Sequence, residues 1–277
     1  SGLGFKKLDK ILLTHGHLDH ILGLAGLMST LMRWEAIDEL NLYGGRPALE
    51  RVQDLINKIV LRDAETRVNV NYLELQPGVI FANGSFELSA FPVTHRGSGN
   101  FGFLFREKAH RPFLNDRAEA LSVPFGPERK RLVAGEPIEL ADGRVIQPSD
   151  VLGAEVPGAS LAIVGDASRT DNLIESVRNA DALVIEATYL EVEADLARAY
   201  GHLTATQSAH LANTANVRKL ILTHVSRRYQ EKEVLAEAQA IFPETVVARD
   251  FDRYRILKDH SALISTMPIE EKTDVSA

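Results

Sequence analysis

Three histidines and a carboxylate crowd into six consecutive positions of the stretch Thr14-His15-Gly16-His17-Leu18-Asp19-His20. Histidine is the commonest metal ligand, and a carboxylate oxygen suits a hard or borderline cation such as zinc or manganese. Alternate residues of a tight loop fan their side chains to one side, so His15 and His17 can grip one metal while Asp19 and His20 point at another. A lone histidine reads more simply as part of a polar surface turn. Four metal-competent side chains directly behind an apolar run do not.

Such a cluster needs rigid elements on both sides. The run Lys10-Ile11-Leu12-Leu13-Thr14 reads as a buried strand, too short to span a membrane. Ile21 to Trp34 carries apolar residues at helical spacing, which puts the cluster at a helix N-terminus, the end that favours carboxylates and anions. Leu40 to Tyr43 reads as a strand closed by Gly44-Gly45, and Pro47 opens a helix running to about Leu61. Val68 to Leu75 and Ser85 to Val93 alternate apolar and polar residues, as strands with one partly solvated face do. The second of them leads into His95, and a further strand, Phe101 to Arg106, comes next.

The same event recurs along the chain: an apolar strand ends and a metal-competent residue comes directly after it. Leu161-Ala162-Ile163-Val164 delivers Asp166, Ala182-Leu183-Val184-Ile185 ends in Glu186, and Leu220-Ile221-Leu222 delivers His224. Between them fall helices over Asp171 to Asn179 and from Thr204, its N-cap, to about Thr214. A helix near Glu231 to Ile241 and strands at Thr245 to Ala248 and Arg253 to Leu257 complete the pattern. Strand ends on one edge of a sheet converge in space, so His15, His95, Asp166 and His224 are expected to share one site. One division gives His15, His17 and His95 to a first metal and Asp19, His20 and His224 to a second, with Asp166 bridging. Two ions about 3.5 to 4 Å apart can activate water and stabilise both the attacking and leaving oxygens of a phosphodiester.

Composition narrows the alternatives. With 277 residues, 45% hydrophobic and 25% charged, the chain can bury a large core, and its formal charge of −7 argues against non-specific coating of nucleic acid. Cysteine is absent, so any metal sits on His, Asp and Glu. No apolar run approaches the roughly 18 residues of a spanning helix. Residues 107 to about 150 change character, with five prolines and little hydrophobic periodicity. Between 106 and 131, seven Lys and Arg face four Asp and Glu, a positive stretch in an acidic chain that suits an arm touching something anionic.

The His-x-His-x-Asp-His loop with later single His, Asp and His ligands resembles the metallo-β-lactamase superfamily. That implies an α/β fold, an αββα sandwich of two mixed sheets flanked by helices. Finer motifs are similar to those of the ribonuclease Z family of tRNA 3′-processing endonucleases: Gly165-Asp166, Glu186-Ala187-Thr188-Tyr189, His202-Leu203-Thr204-Ala205, and Leu222-Thr223-His224-Val225-Ser226 with Arg228-Tyr229. Val123-Pro124-Phe125-Gly126-Pro127, Gly135-Glu136 and Asp142-Gly143-Arg144 are similar to that family's flexible arm, which grips tRNA. The likeness runs from Leu8 to Leu257.

The resemblance implies a single metallo-β-lactamase domain over 1–277, an inserted tRNA-binding arm at 107–150 and a tail at 260–277. It implies two Zn2+ ions, with Mn2+ or Fe2+ also suited to His and Asp ligands, held as divided above. Asp19 then also orients or deprotonates the nucleophilic water, and Glu186 and His202 form a pair that protonates the leaving 3′ oxygen. Lys108, Arg111, Arg117, Arg129, Lys130 and Arg131 are the arm's candidate contacts. Precursor tRNA is the implied substrate, a homodimer in which each arm serves the partner's site the implied assembly, the cytoplasm the implied compartment, and no membrane is involved. Two other readings stay open, a different superfamily phosphodiesterase or small-ester hydrolase and a non-catalytic RNA- or metal-binding fragment. His110, His210 and His260 match no motif and read as structural or exposed.

Three departures from the family pattern carry expectations. Leu18 stands where the family often has a small residue and is expected to crowd the loop. Ala167 replaces a usual threonine beside Asp166, removing a support for that ligand. The strands with a Gly-rich turn and an acidic segment that open the family's fold have no counterpart before Leu8, which would leave a sheet edge uncovered.

Overall fold

The computed structural model describes residues 8–33, 37–62, 64, 66–258 and 260–265. β1 (Lys10–Leu12) leads through the histidine-rich loop into α1 (Leu18–Ile21) and α2 (Gly23–Arg33). β2 (Glu39–Gly44), α3 (Arg46–Asp54), β3 (Asn69–Glu74), β4 (Gly78–Ala82), β5 (Phe86–Pro92) and β6 (Phe101–Glu107) come after them. Next are α4 (Asn115–Ala120), α5 (Pro127–Val133), β7 (Ile138–Glu139), β8 (Val145–Ile146) and α6 (Pro148–Val151). The chain continues with β9 (Ser160–Ile163), α7 (Ile174–Val177), β10 (Ala182–Glu186), α8 (Ala194–Tyr200), α9 (Ala205–Thr214) and β11 (Leu220–Thr223). It closes with α10 (Glu231–Gln239), β12 (Thr245–Val247), β13 (Arg253–Leu257) and β14 (His260–Ser265).

Two compact units emerge, one of residues 1–82, 87–106 and 159–277, the other of 83–86 and 107–158. The larger is built on two sheets. One has the order β1-β2-β3 with its described strands parallel; the other, of order β12-β11-β10-β9-β6-β5-β4, is mixed, parallel from β9 to β12 and antiparallel at β6–β9 and β4–β5. Strand alternation sorts the side chains into layers. Leu40 and Leu42 of β2 meet Leu24, Met28 and Leu31 of α2 and Leu49 and Val52 of α3. Tyr43 and Leu12, on the other face, meet Ala90, Phe101 and Phe103 of the second sheet. Beyond that sheet, Leu183, Ile185, Leu220 and Leu222 pack with Val177 of α7, Leu211 and Ala212 of α9 and Val234 of α10. The result is helix, sheet, sheet, helix, the expected αββα sandwich.

Several local differences have physical reasons. The helix expected from Pro47 to Leu61 rewinds after Asp54 into a π-helical stretch, Leu55–Leu61. Leu55 and Val60, and Ile56 and Leu61, are five apart and all join the same core, a spacing that i→i+5 winding keeps on one face. The helix expected over 171–179 is helical only at Ile174–Val177, because its first residues form a turn and Asn179 takes a left-handed φ of 57°. β1 is half-buried rather than buried, since it lies at the edge of its described sheet. The tail expected from 260 begins with β14, which pairs with β13; its remainder, 266–277, lies outside the described residues, as does Trp34.

The smaller unit has its own core of Ala118, Val123, Leu132, Ile138, Ile146 and Val151, with Phe113, Leu121 and Leu140 against it. Two of its prolines sit at helix starts, Pro127 in α5 and Pro148 in α6, where a missing N–H costs nothing.

Candidate metal centre and active site

Five strand ends of the larger unit bring the site together. The loop after β1 is anchored by Phe101, whose backbone N–H donates to Thr14 O at 2.8 Å. After β9, Gly165 runs so close to Thr14 that a Cβ there would sit 2.7 Å from Oγ1, so only glycine lets Asp166 reach the histidine loop. His17 N-caps α1, and β5, β10 and β11 supply His95, Glu186 and His224. His224 takes a left-handed backbone with φ 54°, a conformation costing about 1–2 kcal/mol outside glycine. Such strain, where surrounding structure holds it, is common at functional sites.

Asp166 is nearly inaccessible and lies among the rings: its Oδ2 is 3.6 Å from His15 Nε2, 3.2 Å from His20 Nε2 and 3.8 Å from His95 Nε2, and its Oδ1 is 3.6 Å from His224 Nε2. One atom from each of His15, His17, His95 and Asp166 lies within 4.8 Å of the others, and the same holds for Asp19, His20, Asp166 and His224. Asp19 Oδ2 is 3.4 Å from His20 Nε2 and 3.5 Å from His224 Nε2. Buried His15 Nε2 and Asp166 Oδ1 find no hydrogen-bond partner among the described residues, a costly arrangement unless a cation takes those lone pairs. Imidazole nitrogens and carboxylate oxygens of this number fit a divalent ion.

The opposite ring nitrogens are fixed, as metal-binding histidines require. His95 Nδ1–H donates to Gly201 O at 2.8 Å, and His224 Nδ1 lies 2.8 Å from Thr188 Oγ1. Burial pushes the His15 imidazolium down to about 3, with the His20 charge adding to it. Burial likewise lowers His17 and His95, so all three rings are neutral at neutral pH and free to donate a lone pair. For Asp166, burial opposes ionisation, but the His20 hydrogen bond and the charges of His224 and His20 hold the carboxyl well below its usual range. His20 is raised chiefly by its hydrogen bond to Asp166.

Beside this cluster lies a second device. His202 Nδ1 is 3.2 Å from Glu186 Oε1 and 3.1 Å from Oε2, and 3.8 Å from Asp166 Oδ2. Glu186, 1% exposed, also accepts the backbone N–H of Ala167 at 2.7 Å and the hydroxyl of Thr188. Burial works against protonation of His202, yet the hydrogen bond and charge of Glu186 raise its affinity for a proton. Ala167 thus serves through its main chain. Leu18, at 59% exposure, points out to solvent rather than crowding the loop.

A ribonuclease Z from Bradyrhizobium sp. (strain ORS 278) is 46% identical over 256 residues, covering 92% of this chain and 85% of that one. This chain belongs to the ribonuclease Z family. A ribonuclease Z from Listeria monocytogenes serotype 4b (strain CLIP80459) is 39% identical over 254 residues, 90% of this chain and 82% of that one. Residues 2–114 match the beta-lactamase superfamily domain. Human tRNase Z, short form, superposes with a TM-score of 0.57 at 21% identity, covering 91% of this chain and 80% of that one. The metallo-beta-lactamase fold protein YhfI from Bacillus subtilis gives 0.58 at 19%, covering 88% and 76%. At such identities the likeness establishes the shared fold. That fold and the His/Asp cluster together imply use of a divalent metal.

In this ribonuclease Z-family chain the candidate arm contacts occupy the smaller unit. Lys108, Arg111, Arg117, Lys130 and Arg131 are exposed there; Arg111 donates to Gly153 O and Leu152 O, and Arg131 to Glu136 and Pro137 O. Arg129 differs. It is buried, stacks 3.5 Å over the Phe125 ring, and donates to Asn115 Oδ1 and Val123 O, so its charge serves the unit's interior rather than its surface. His110 and His210 are exposed, while the His260 side chain lies outside what is described. Thr188 escaped assignment from sequence although it lies in a quoted motif, because only tertiary structure shows one hydroxyl joining Glu186 to His224.

Proposed function

We propose that this chain is an endoribonuclease that removes 3′ trailers from precursor tRNA with two Zn2+ ions, Mn2+ or Fe2+ being chemically acceptable to the same donors. His15, His17 and His95 would hold one ion, Asp19, His20 and His224 the other, and Asp166 both. When bound, the ions supply Lewis-acid activation of water and neutralise charge on the scissile phosphate. The observation that carries the reading is the Glu186–His202 pair at 3.1 Å, placed 3.8 Å from Asp166. Glu186, anchored by Ala167 and Thr188, accepts from His202 Nδ1–H and favours the protonated ring, so that the imidazolium's Nε2–H can protonate the leaving 3′ oxygen. Burial opposes ionisation of Asp19, but the His20 charge and backbone hydrogen bonding outweigh it, so its exposed carboxylate stands ready to orient or deprotonate water. Lys108, Arg111, Arg117, Lys130 and Arg131 would meet the RNA backbone. Family membership supports a homodimer working in the cytoplasm, and among the described residues no helix is long and apolar enough to cross a membrane.

The test is direct. Metal-loaded protein should release the 3′ trailer of a precursor tRNA, and a chelator should stop it. His202→Ala should slow cleavage by about 10²–10⁴, and slow hydrolysis of a p-nitrophenyl diester much less, because that leaving group departs without a proton. No 3′ cleavage, or cleavage undiminished in the variant, would sink the proposal.

A further inference from the structure

A pocket of about 100 Å³ opens on the His15–His17 flank of the centre, lined by those two histidines with Arg51, Arg96, Ser98 and Asn100 among others. Among the described residues no carboxylate lines it, in a chain of formal charge −7. His202, Glu186 and His224 do not contribute to its wall, although Arg96 runs past Gly201, the residue before His202, where a Cβ would lie 3.3 Å from Arg96 Cγ. Both guanidiniums are held in place. Arg51 Nη1 donates to Gly16 O at 2.9 Å, in the histidine loop itself, while Arg96 Nη2 donates to Ala199 O at 3.1 Å with its guanidinium 5.5 Å from the Tyr200 ring centroid. The frame is tight: a Cβ on Gly45 would lie 2.0 Å from Gly99 O, so the start of α3 and the 97–100 loop touch backbone to backbone. Each guanidinium carries five N–H donors and uses one here in a hydrogen bond to those carbonyls, which leaves a planar fork suited to phosphate oxygens. Anchored side chains lose little freedom on binding.

We infer that Arg51 and Arg96 form a subsite for the phosphate next after the scissile one, on the trailer side of the substrate. The inference rests on the phosphodiesterase reading and on His202 facing the leaving 3′ oxygen. Cleavage that leaves the phosphate on the trailer keeps the first trailer nucleotide on the phosphorus, off the line from attacking water to leaving oxygen, and the His15–His17 flank is open to it. Its own 3′ phosphate is one nucleotide from the centre and would meet a wall whose only formal charges, among the described residues, are the two arginines.

The probe is a pair of chromogenic diesters, thymidine 5′-(p-nitrophenyl phosphate) with and without a 3′-phosphate, assayed on the metal-loaded full chain. The wild type should prefer the 3′-phosphorylated compound in kcat/KM by about ten-fold, a preference that shrinks as salt is raised. Arg51→Gln with Arg96→Gln should bring the ratio close to one, and the ratio is insensitive to the amount of folded enzyme. A wild type without the preference, a preference indifferent to salt, or one retained in the double variant would overturn the subsite. Failure to cut precursor tRNA with the preference intact would count against the tRNA reading alone.

Discussion

Replacing Thr188 by valine keeps the shape of a buried side chain and removes one hydroxyl. That oxygen stands 2.8 Å from His224 Nδ1 and donates to Glu186 Oε2. Both partners are enclosed, Glu186 at 1% exposure and Thr188 at 8%, so water cannot easily replace what is lost. A hydrogen bond to a charged group contributes about 1.5–3 kcal/mol, and a neutral one about 1. Glu186 keeps Ala167 N–H and His202, which limits the damage on that side. The expected destabilisation of the metal-free protein is therefore about 2–3 kcal/mol, read as a shift of the urea midpoint at constant slope. With nothing fixing its Nδ1, His224 should also bind metal about 10–100-fold more weakly, measured by competition with a chromogenic chelator. Thr188→Ser, which restores the oxygen, should recover most of both losses. A valine variant as stable and as tight as wild type, or a serine variant damaged equally, would refute the role given to this hydroxyl.

Metal-free protein should lose stability as pH falls from 6.5 toward 3. His15 is pushed down to about 3 and His17 and His95 are also lowered, so the unfolded chain takes up protons first and stability rises with pH across that window. His20 and His202, both raised, act oppositely, their contribution fading as pH climbs above 6.5 through their folded values. His15→Gln should flatten the acid limb between pH 6.5 and 4, and urea midpoints that fall as steeply as in the wild type would contradict the assignment. In the smaller unit, Arg129→Ala removes a stack on Phe125 and two hydrogen bonds of a buried guanidinium, a local loss of about 2–3 kcal/mol. Limited proteolysis within 107–158 should accelerate, whereas the exposed Lys130→Ala should leave it unaltered; equal rates for both would overturn the interior role of Arg129.

Much of the fold was readable because the strands that feed the site carry two signals, an apolar run and a metal-competent or acidic residue at its end. Leu183 and Ile185 face the core that α9 covers, and Glu186 directly after them reaches the site. Thr204 was identifiable as an N-cap from its place before Ala205, and it accepts Gln207 N–H at 3.1 Å. β4 and β14 went unread, because β4 is a five-residue apolar run without alternation at a sheet edge and β14 a strand of mixed polarity in a hairpin, and neither carries a period to read. The smaller unit's helices were missed for a related reason: its core is built from a few residues scattered over short elements, too short for periodicity to show.

The sequence by itself determined the chemistry available: histidine and carboxylate donors without thiols, placed behind apolar strands, in a chain long enough to bury two sheets. Metal-ligand identity is a property of side-chain type and spacing, so it is legible in one dimension. What only the tertiary structure decided is which atoms meet. It set Asp166 among four imidazoles, sent the Thr188 hydroxyl to both Glu186 and His224, buried Arg129 under Phe125, and brought Arg51 and Arg96 to one pocket. Most of those contacts join residues far apart in the chain, through backbone approaches such as Gly165 on Thr14 and Gly45 on Gly99. No local pattern encodes them, because they arise from how two sheets pack face to face.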